Sequence, residues 1–465
     1  MRAPTYKTAV IVVYVLALFV QILDATIVNV ALPTLADEFD VAVTDVEWVV
    51  LAYLLAVALG IPAAGWFADR FGSKRVFISA IVAFTLASAL CGAAGSLDQL
   101  VAFRALQGLG AGMLTPVGSA ILYRAFPLEE RARAAVAVVG VAVIAPMIGP
   151  ALGGIIVDTI SWRWIFYVNI PIGVVATTLS MLWLREHTEP GAGRLDVAGL
   201  VLAGGGLAGL LYGLSLGPER GWADPVTLAV LAGAALALSL LVAIELRIDD
   251  PMLDLRLLTE RLFRTVNVAG LFTYAGFLGL IFLFTLYLQS LRGESAMTAG
   301  FVQSPQALGV VVVSNLLGRR LYATIGPRRL MVVGTLATGA VSASLALTDT
   351  STPLGLLAVL MFLRGAAIGV VFVAIQTSVY ARIPVADTAR ATSIFSSQRQ
   401  TANALGVAVA ATILAALAPE TCATAADAAD GLRGYRIGFL VSGALFVPAA
   451  IASWFIHDED AAATR

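Results

Sequence analysis

Runs of about twenty mostly apolar residues recur along almost the whole of this chain, and that pattern constrains its fold more than any other feature. A helix of about 20 residues crosses the roughly 30 Å of hydrocarbon in a bilayer. In lipid only helices and closed barrels satisfy every backbone N–H and C=O. Fourteen runs can be read, approximately 8–31, 47–67, 76–95, 99–122, 134–157, 164–184, 196–216, 226–244, 266–290, 299–317, 330–348, 354–378, 392–417 and 436–456. The longest connections, around 245–265 and 418–435, are too short for a separate soluble domain. Of the 465 residues 59% are hydrophobic and 13% charged, about half the charge of a soluble domain. An all-α polytopic membrane protein is expected. The apolar run Thr8–Ala31 follows Arg2 and Lys7 like a signal peptide, but it is too long and no small-residue cleavage site follows it. It is read as the first membrane helix.

Basic residues set the orientation. With the N-terminus placed in the cytoplasm, 21 of them fall in inner loops and tails, five in outer loops, and Arg104, Arg364 and Arg399 inside runs. That asymmetry predicts a multi-pass protein of the inner or plasma membrane with both termini cytoplasmic. It also predicts an even number of spans, because a missed helix would invert every later loop. The net charge of −1 says nothing further. The first outer loop, Ala36–Glu47, has five acids and no base, and reads as a solvated acidic loop or as one that concentrates cations at the outer mouth. Cys91 and Cys422 are too few for a disulfide framework. His187 and His457, both at run ends, give no basis for a metal site. No Gly-rich loop ending in Lys-Ser/Thr is present, so no nucleotide and no cofactor is expected, and no nucleic-acid partner.

Asp24 is the one carboxylate placed well inside a run. An ionised acid there costs about 2.5–3.5 kcal/mol on translocon scales, so it should face the interior with a partner or be protonated part of the time. Asp24 lies seven residues, and Arg104 about five, from the outer ends of their runs. At about 1.5 Å per residue both sit roughly 7–11 Å deep, and they are expected to meet. Two readings of the pair stand: proton coupling, or a fixed strut. Three intramembrane arginines against one aspartate leave the interior net positive, which favours neutral, weakly acidic or monocationic amphiphiles over a polycation. Arg399 could instead snorkel, and Arg364 could bind backbone carbonyls. Asn29, Tyr53, Gln107, Tyr274, Gln303, Gln306, Arg399 and Gln400 are candidate lining for a central cavity, since transporter sites lie near the midplane. Trp162, Trp164 and Trp222 are expected at the outer interface.

Five motifs follow in order: Leu23-Asp24-Ala25-Thr26-Ile27-Val28-Asn29-Val30-Ala31-Leu32-Pro33; Gly65-Trp66-Phe67-Ala68-Asp69-Arg70-Phe71-Gly72-Ser73-Lys74-Arg75; Phe103-Arg104-Ala105-Leu106-Gln107-Gly108-Leu109-Gly110; Gly149-Pro150-Ala151-Leu152-Gly153-Gly154; and Trp162-Arg163-Trp164-Ile165-Phe166-Tyr167-Val168-Asn169-Ile170-Pro171. Together, over nearly the whole chain, they resemble the major facilitator superfamily, specifically its fourteen-span drug:proton antiporters. Ala145 and Val136 stand where the antiporter motif usually carries glycine. The second-half copy of the loop motif, Gly318-Arg319-Arg320 to Gly326-Pro327-Arg328-Arg329, lacks the aspartate. The resemblance implies that Gly65, Asp69, Arg70, Gly72, Lys74 and Arg75 latch the cytoplasmic side. Glycine permits the tight turn, and Asp69 could face a helix N-terminus. Gly149, Pro150, Gly153 and Gly154 form either a flexible, proton-tight seam or plain close packing.

The expectation is the major facilitator fold: an N-terminal six-helix bundle (1–190), two inserted transmembrane helices with a cytoplasmic linker (191–260), and a C-terminal six-helix bundle (261–465). Its expected activity is not enzymatic. It is proton-driven export of hydrophobic drugs or a secondary metabolite by a monomer, its partners being a small amphipathic substrate, protons and the lipid bilayer. A symporter or uniporter of a nutrient is the alternative within transport. A membrane-embedded enzyme or receptor is the distant one, since no polar cluster of the catalytic kind appears.

Overall fold

Each of the fourteen runs is helical over its described residues in the computed structural model, which describes residues 5–41, 43–46, 48–188, 196–248, 251, 253–314, 319–417 and 425–460. The helices are α1 Tyr6–Ala31, α2 Trp48–Phe71, α3 Ser73–Gly92, α4 Leu97–Ala125, α5 Arg131–Thr159, α6 Trp164–Trp183, α7 Val197–Arg220, α8 Pro225–Glu245, α9 Arg261–Leu291, α10 Ala296–Val313, α11 Pro327–Leu347, α12 Leu354–Ser378, α13 Thr388–Leu417 and α14 Gly431–Trp454. Twelve are long and apolar enough to span a membrane. Among the described residues α5 and α10 carry shorter apolar stretches, Arg133–Pro146 and Met297–Val313. Where loops reach water, side chains cap the free amides: Ser96 for α4, Asp224 for α8 with Pro225 at its first turn, and Glu260 for α9.

The packing repeats itself. Within the first six helices α1 packs on α5 and α6, α2 on α4, and α3 on α4 and α6. Within the last six α9 packs on α13 and α14, α10 on α12, and α11 on α12 and α14. Small residues make the tightest of these contacts possible. A Cβ on Gly108 or Gly112 of α4 would strike the carbonyls of Tyr53 or Val57 on α2. A Cβ on Gly365 or Gly369 of α12 would strike Gln306 or Val310 on α10. The inserted α7 and α8 pack on each other, and α7 lies along both α2 and α13, bridging the two bundles. Gly204 lets α7 rest against Leu59, and the indole of Trp222 donates to Thr412 Oγ1 at 2.9 Å.

The bundles meet at the face that carries Lys7 and Asp460, here called the terminal face. Lys7 is bonded there to Glu130 at 2.8 Å, and Asp460 to Arg261 and Arg382 at 2.6 and 2.7 Å. α2 meets α13, and α5 meets α10 and α12.

Three expectations change. The loop motif is almost entirely helical: α2 continues to Phe71, so Gly65 and Asp69 lie in its last turns and only Gly72, at φ 96°, makes the break. Trp162 is buried inside the protein and not turned outward, packed edge-on against Phe39 at 5.8 Å in the segment Leu32–Phe39 that follows α1; Trp164 is half exposed. The connection after α13 is helical again from Ala425. Gly318, Cys422 and the side chains of Pro150, Arg319 and Arg320 lie outside the described residues.

Candidate functional site

Asp24 ends the regular part of α1, one turn before it tightens into a 3₁₀ segment, and its carboxylate is fully buried. It accepts three hydrogen bonds from three side chains on two other helices. Arg104 Nη1 donates at 2.6 Å and Gln107 Nε2 at 2.9 Å, both from α4; Asn169 Nδ2 donates at 2.7 Å from α6. The network extends outward. Arg104 also reaches Gln107 Oε1 at 2.7 Å and the Val49 carbonyl of α2 at 3.1 Å. Asn169 donates to Ser88 Oγ on α3 at 3.0 Å, and Ser88 donates to the Phe166 carbonyl at 2.9 Å. The guanidinium lies 4.2 Å from the Tyr53 ring centroid, close enough for cation–π attraction. Five helices thus converge on one paired charge. A buried charge left unpaired is far costlier than a paired one.

The pair expected from equal depth is joined. Gln107 and Tyr53, expected in a cavity wall, belong instead to this charge network. Asn169 and Ser88 were not anticipated. The signal for Asn169 was a polar residue inside an apolar run, next to Ile170-Pro171, at the depth of Asp24.

The second bundle contains a counterpart without an acid. Arg364 of α12 is, like Arg104, fully buried. It donates to Gln306 Oε1 at 2.6 Å, Ser342 Oγ at 3.0 Å and the Gly276 and Phe277 carbonyls at 3.3 and 3.0 Å. Neutral acceptors from α9, α10 and α11 do the work that Asp24 does in the first bundle, and Gln306, a candidate lining residue, is among them.

The remaining cavity candidates are dispersed. Asn29 is exposed and bonds back to its own helix. Gln303 donates to Thr285 at 2.7 Å, and Gln400 is half-buried on α13. Tyr274 is buried and stacked on Phe372 at 5.3 Å, with Arg399 nearby.

At the terminal face Asp69 is buried and paired with Arg124 of α4 at 3.4 Å and, across the bundle seam, with Arg390 of α13 at 3.9 Å. Beside it a Cβ on Gly65 would lie 3.2 Å from the Ala389 carbonyl and from Ser393 Oγ, so only glycine lets α2 and α13 touch without adjustment. Arg131 Nη1 donates to the Tyr380 carbonyl at 2.7 Å, and Thr392 Oγ1 to the Pro116 carbonyl at 3.0 Å, closing the same seam. The helix N-terminus at this turn, that of α3, is occupied by Glu186 and not by Asp69: its carboxylate accepts from the amides of Lys74 and Arg75 at 3.0 and 3.3 Å. Lys74 Nζ reaches the Met181 carbonyl at 2.8 Å, and Arg70 and Arg75 are exposed.

In the helix-5 motif, Cβ atoms on Gly149 and Gly153 would strike Thr26 and Ile27, the turn of α1 just past Asp24; at Gly154 the nearest atom would be 4.0 Å away.

A sequence profile of the Major Facilitator Superfamily matches residues 14–407 and 266–465. The "Multidrug resistance protein B homolog" of Mycobacterium tuberculosis (strain ATCC 25618 / H37Rv) is 30% identical over 97% of this chain and 90% of its own. "Multidrug export protein EmrB" of Escherichia coli (strain K12) is 32% identical over 86% of this chain and 78% of its own. Among solved structures, the human organic anion transporter MFSD10 superposes with a TM-score of 0.69 at 16% identity, over 97% of this chain and all of that one, a likeness of fold.

Proposed function

Because the chain belongs to the major facilitator superfamily, we propose that it is a secondary active transporter that exports hydrophobic drugs or a secondary metabolite in exchange for protons, by alternating access between its two six-helix bundles. The observation that carries the reading is the carboxylate of Asp24, sealed from water and held by donors from α4 and α6. A proton arriving at Asp24 removes the charge that Arg104, Gln107 and Asn169 grip. The grip then loosens, and α1 is free to shift against α4 and α6. Gly149 and Gly153 rest on the turn of α1 next to Asp24, so a shift there is felt by α5, which also contacts the second bundle through α10 and α12.

The terminal face is taken as cytoplasmic on the distribution of basic residues, with both termini inside and the membrane the inner or plasma membrane. The bundles are taken as residues 1–190 and 261–465, joined by the inserted pair in 191–260. Asp69, bridging Arg124 and Arg390, is the latch of the cytoplasmic side, and the cargo enters between the bundles when it opens. The working unit is a monomer.

Everted vesicles loaded by an imposed proton gradient test this. Dye uptake into them should collapse with an uncoupler and should lose its gradient dependence in Asp24→Asn. An Asp24→Asn protein that still concentrates dye to wild-type levels would reduce Asp24 to a strut.

A further inference from the structure

Of the three intramembrane arginines, two have their donors engaged. Arg104 is neutralised by Asp24, and Arg364 is wrapped by four neutral acceptors. Arg399 is different. It projects from the middle of α13, roughly 9 Å beyond Ser393 at 1.5 Å per residue, just inside the closed seam. Among the described residues no carboxylate pairs with it and its guanidinium makes no hydrogen bond, although it lies near the Tyr274 hydroxyl. Most of the five N–H donors of a guanidinium are therefore unspent. Arg399 acts electrostatically on Tyr14 and Tyr123 of the first bundle and on Tyr274 and Tyr380 of the second, so it stands where the halves meet. Burial pushes the hydroxyl of Tyr380, in the turn after α12, far above its usual range. That residue is a neutral neighbour and no counter-ion. On the adjacent Gln398 both amide atoms are buried without a hydrogen-bond partner among the described residues, as is Ser397 Oγ. The ring of Tyr274 packs on those of Phe372 and Phe395, at 5.3 and 6.2 Å between centroids.

Arg399 is only partly buried, unlike Arg104 and Arg364, so its guanidinium is open to a ligand, with donors to spare and no acid beside it among the described residues. A carboxylate or sulfonate taken bidentately would satisfy it, and aromatic rings offer a flat apolar body a wall. We infer that Arg399 is the anchor for the charged group of the cargo, and that the compounds this protein moves are amphipathic organic anions with an aromatic body. This rests on the export reading above and narrows its substrate class.

The test uses the purified full-length protein in lipid nanodiscs and three matched probes: 1-naphthoate, 1-naphthalenemethanol and 1-naphthalenemethylammonium. Naphthoate should bind best. Arg399→Gln should weaken naphthoate roughly 10- to 100-fold, the range of charge-assisted hydrogen bonds, while the neutral alcohol stays within about 2-fold of wild type; Arg399→Lys should recover part of the loss. If Arg399→Gln fails to fold, the order of the three probes on the wild type and the Arg399→Lys value still decide. Tighter binding of the ammonium probe, or naphthoate binding indifferent to Arg399, would overturn the anion assignment. The export reading fails separately, if vesicles show no gradient-driven movement of any dye.

Discussion

At the scale of single residues, the site is a problem of buried charge, and its solution is a set of donors that can be removed one at a time. Asn169→Ala takes one hydrogen bond from Asp24 and one from Ser88. A lost bond to a buried charge costs about 1.5–3 kcal/mol, so gradient-driven transport should fall by roughly tenfold or more with the protein still in the membrane, as initial rates normalised to purified protein will read. Tyr53 acts through its ring, 4.2 Å from the Arg104 guanidinium, and its hydroxyl makes only a long 3.4 Å contact with the Gln21 carbonyl. Tyr53→Phe should therefore behave as wild type. Tyr53→Leu should lower thermal stability through loss of about 0.5–2 kcal/mol of cation–π attraction, seen as an earlier melting transition in detergent. Asp24 and Arg104 were legible in the sequence because a charge in an apolar run is conspicuous. Asn169 and Ser88 were not, because polar but uncharged side chains in such runs are common and usually bond their own helix, as Ser180 and Thr335 do here.

At the scale of helices, small residues decide how closely neighbours approach, and three glycines of one motif separate the roles. Gly149 and Gly153 lie under the α1 turn at Thr26 and Ile27, whereas the nearest atom to a Cβ on Gly154 is 4.0 Å away. Gly153→Ala should overpack the α1–α5 contact at about 1–3 kcal/mol and impair transport. Gly154→Ala should be close to neutral. Parallel thermal shift and efflux measurements on the two variants check this, and equal damage from both would sink the packing argument. The motif was visible in the sequence, but which of its glycines touch α1 was not. That depends on the rotation of α5 about its axis, and a helix apolar all round has no polar face to set its rotation.

At the scale of the whole molecule, the two bundles repeat one packing scheme and meet at the terminal face around Asp69, where α2 reaches α13. The bundle seam there is closed by few polar contacts, so its balance is open to small energies. Asp69→Asn weakens the bridge to Arg124 and Arg390, whose long 3.4 and 3.9 Å separations mark it as modest for a buried pair, at least about 1 kcal/mol. A change of that size shifts a two-state balance by roughly fivefold. A cysteine introduced at Ser393, now buried against α2, should then react faster with a hydrophilic maleimide. Unchanged labelling would mean that Asp69 does not hold the seam.

The sequence by itself determined the class of solvent, the number and order of the helical runs, and the presence of one acid and three arginines within them. These follow from the chain's own hydropathy, because a backbone in lipid must satisfy its hydrogen bonds inside each segment. Only the tertiary structure decided which charge is answered and by what: Asp24 by three donors, and Arg364 by carbonyls, a glutamine and a serine, while Arg399 has no carboxylate partner among the described residues. Depth in a membrane can be counted along a chain. Partners come from other helices at the same depth, and packing chooses them.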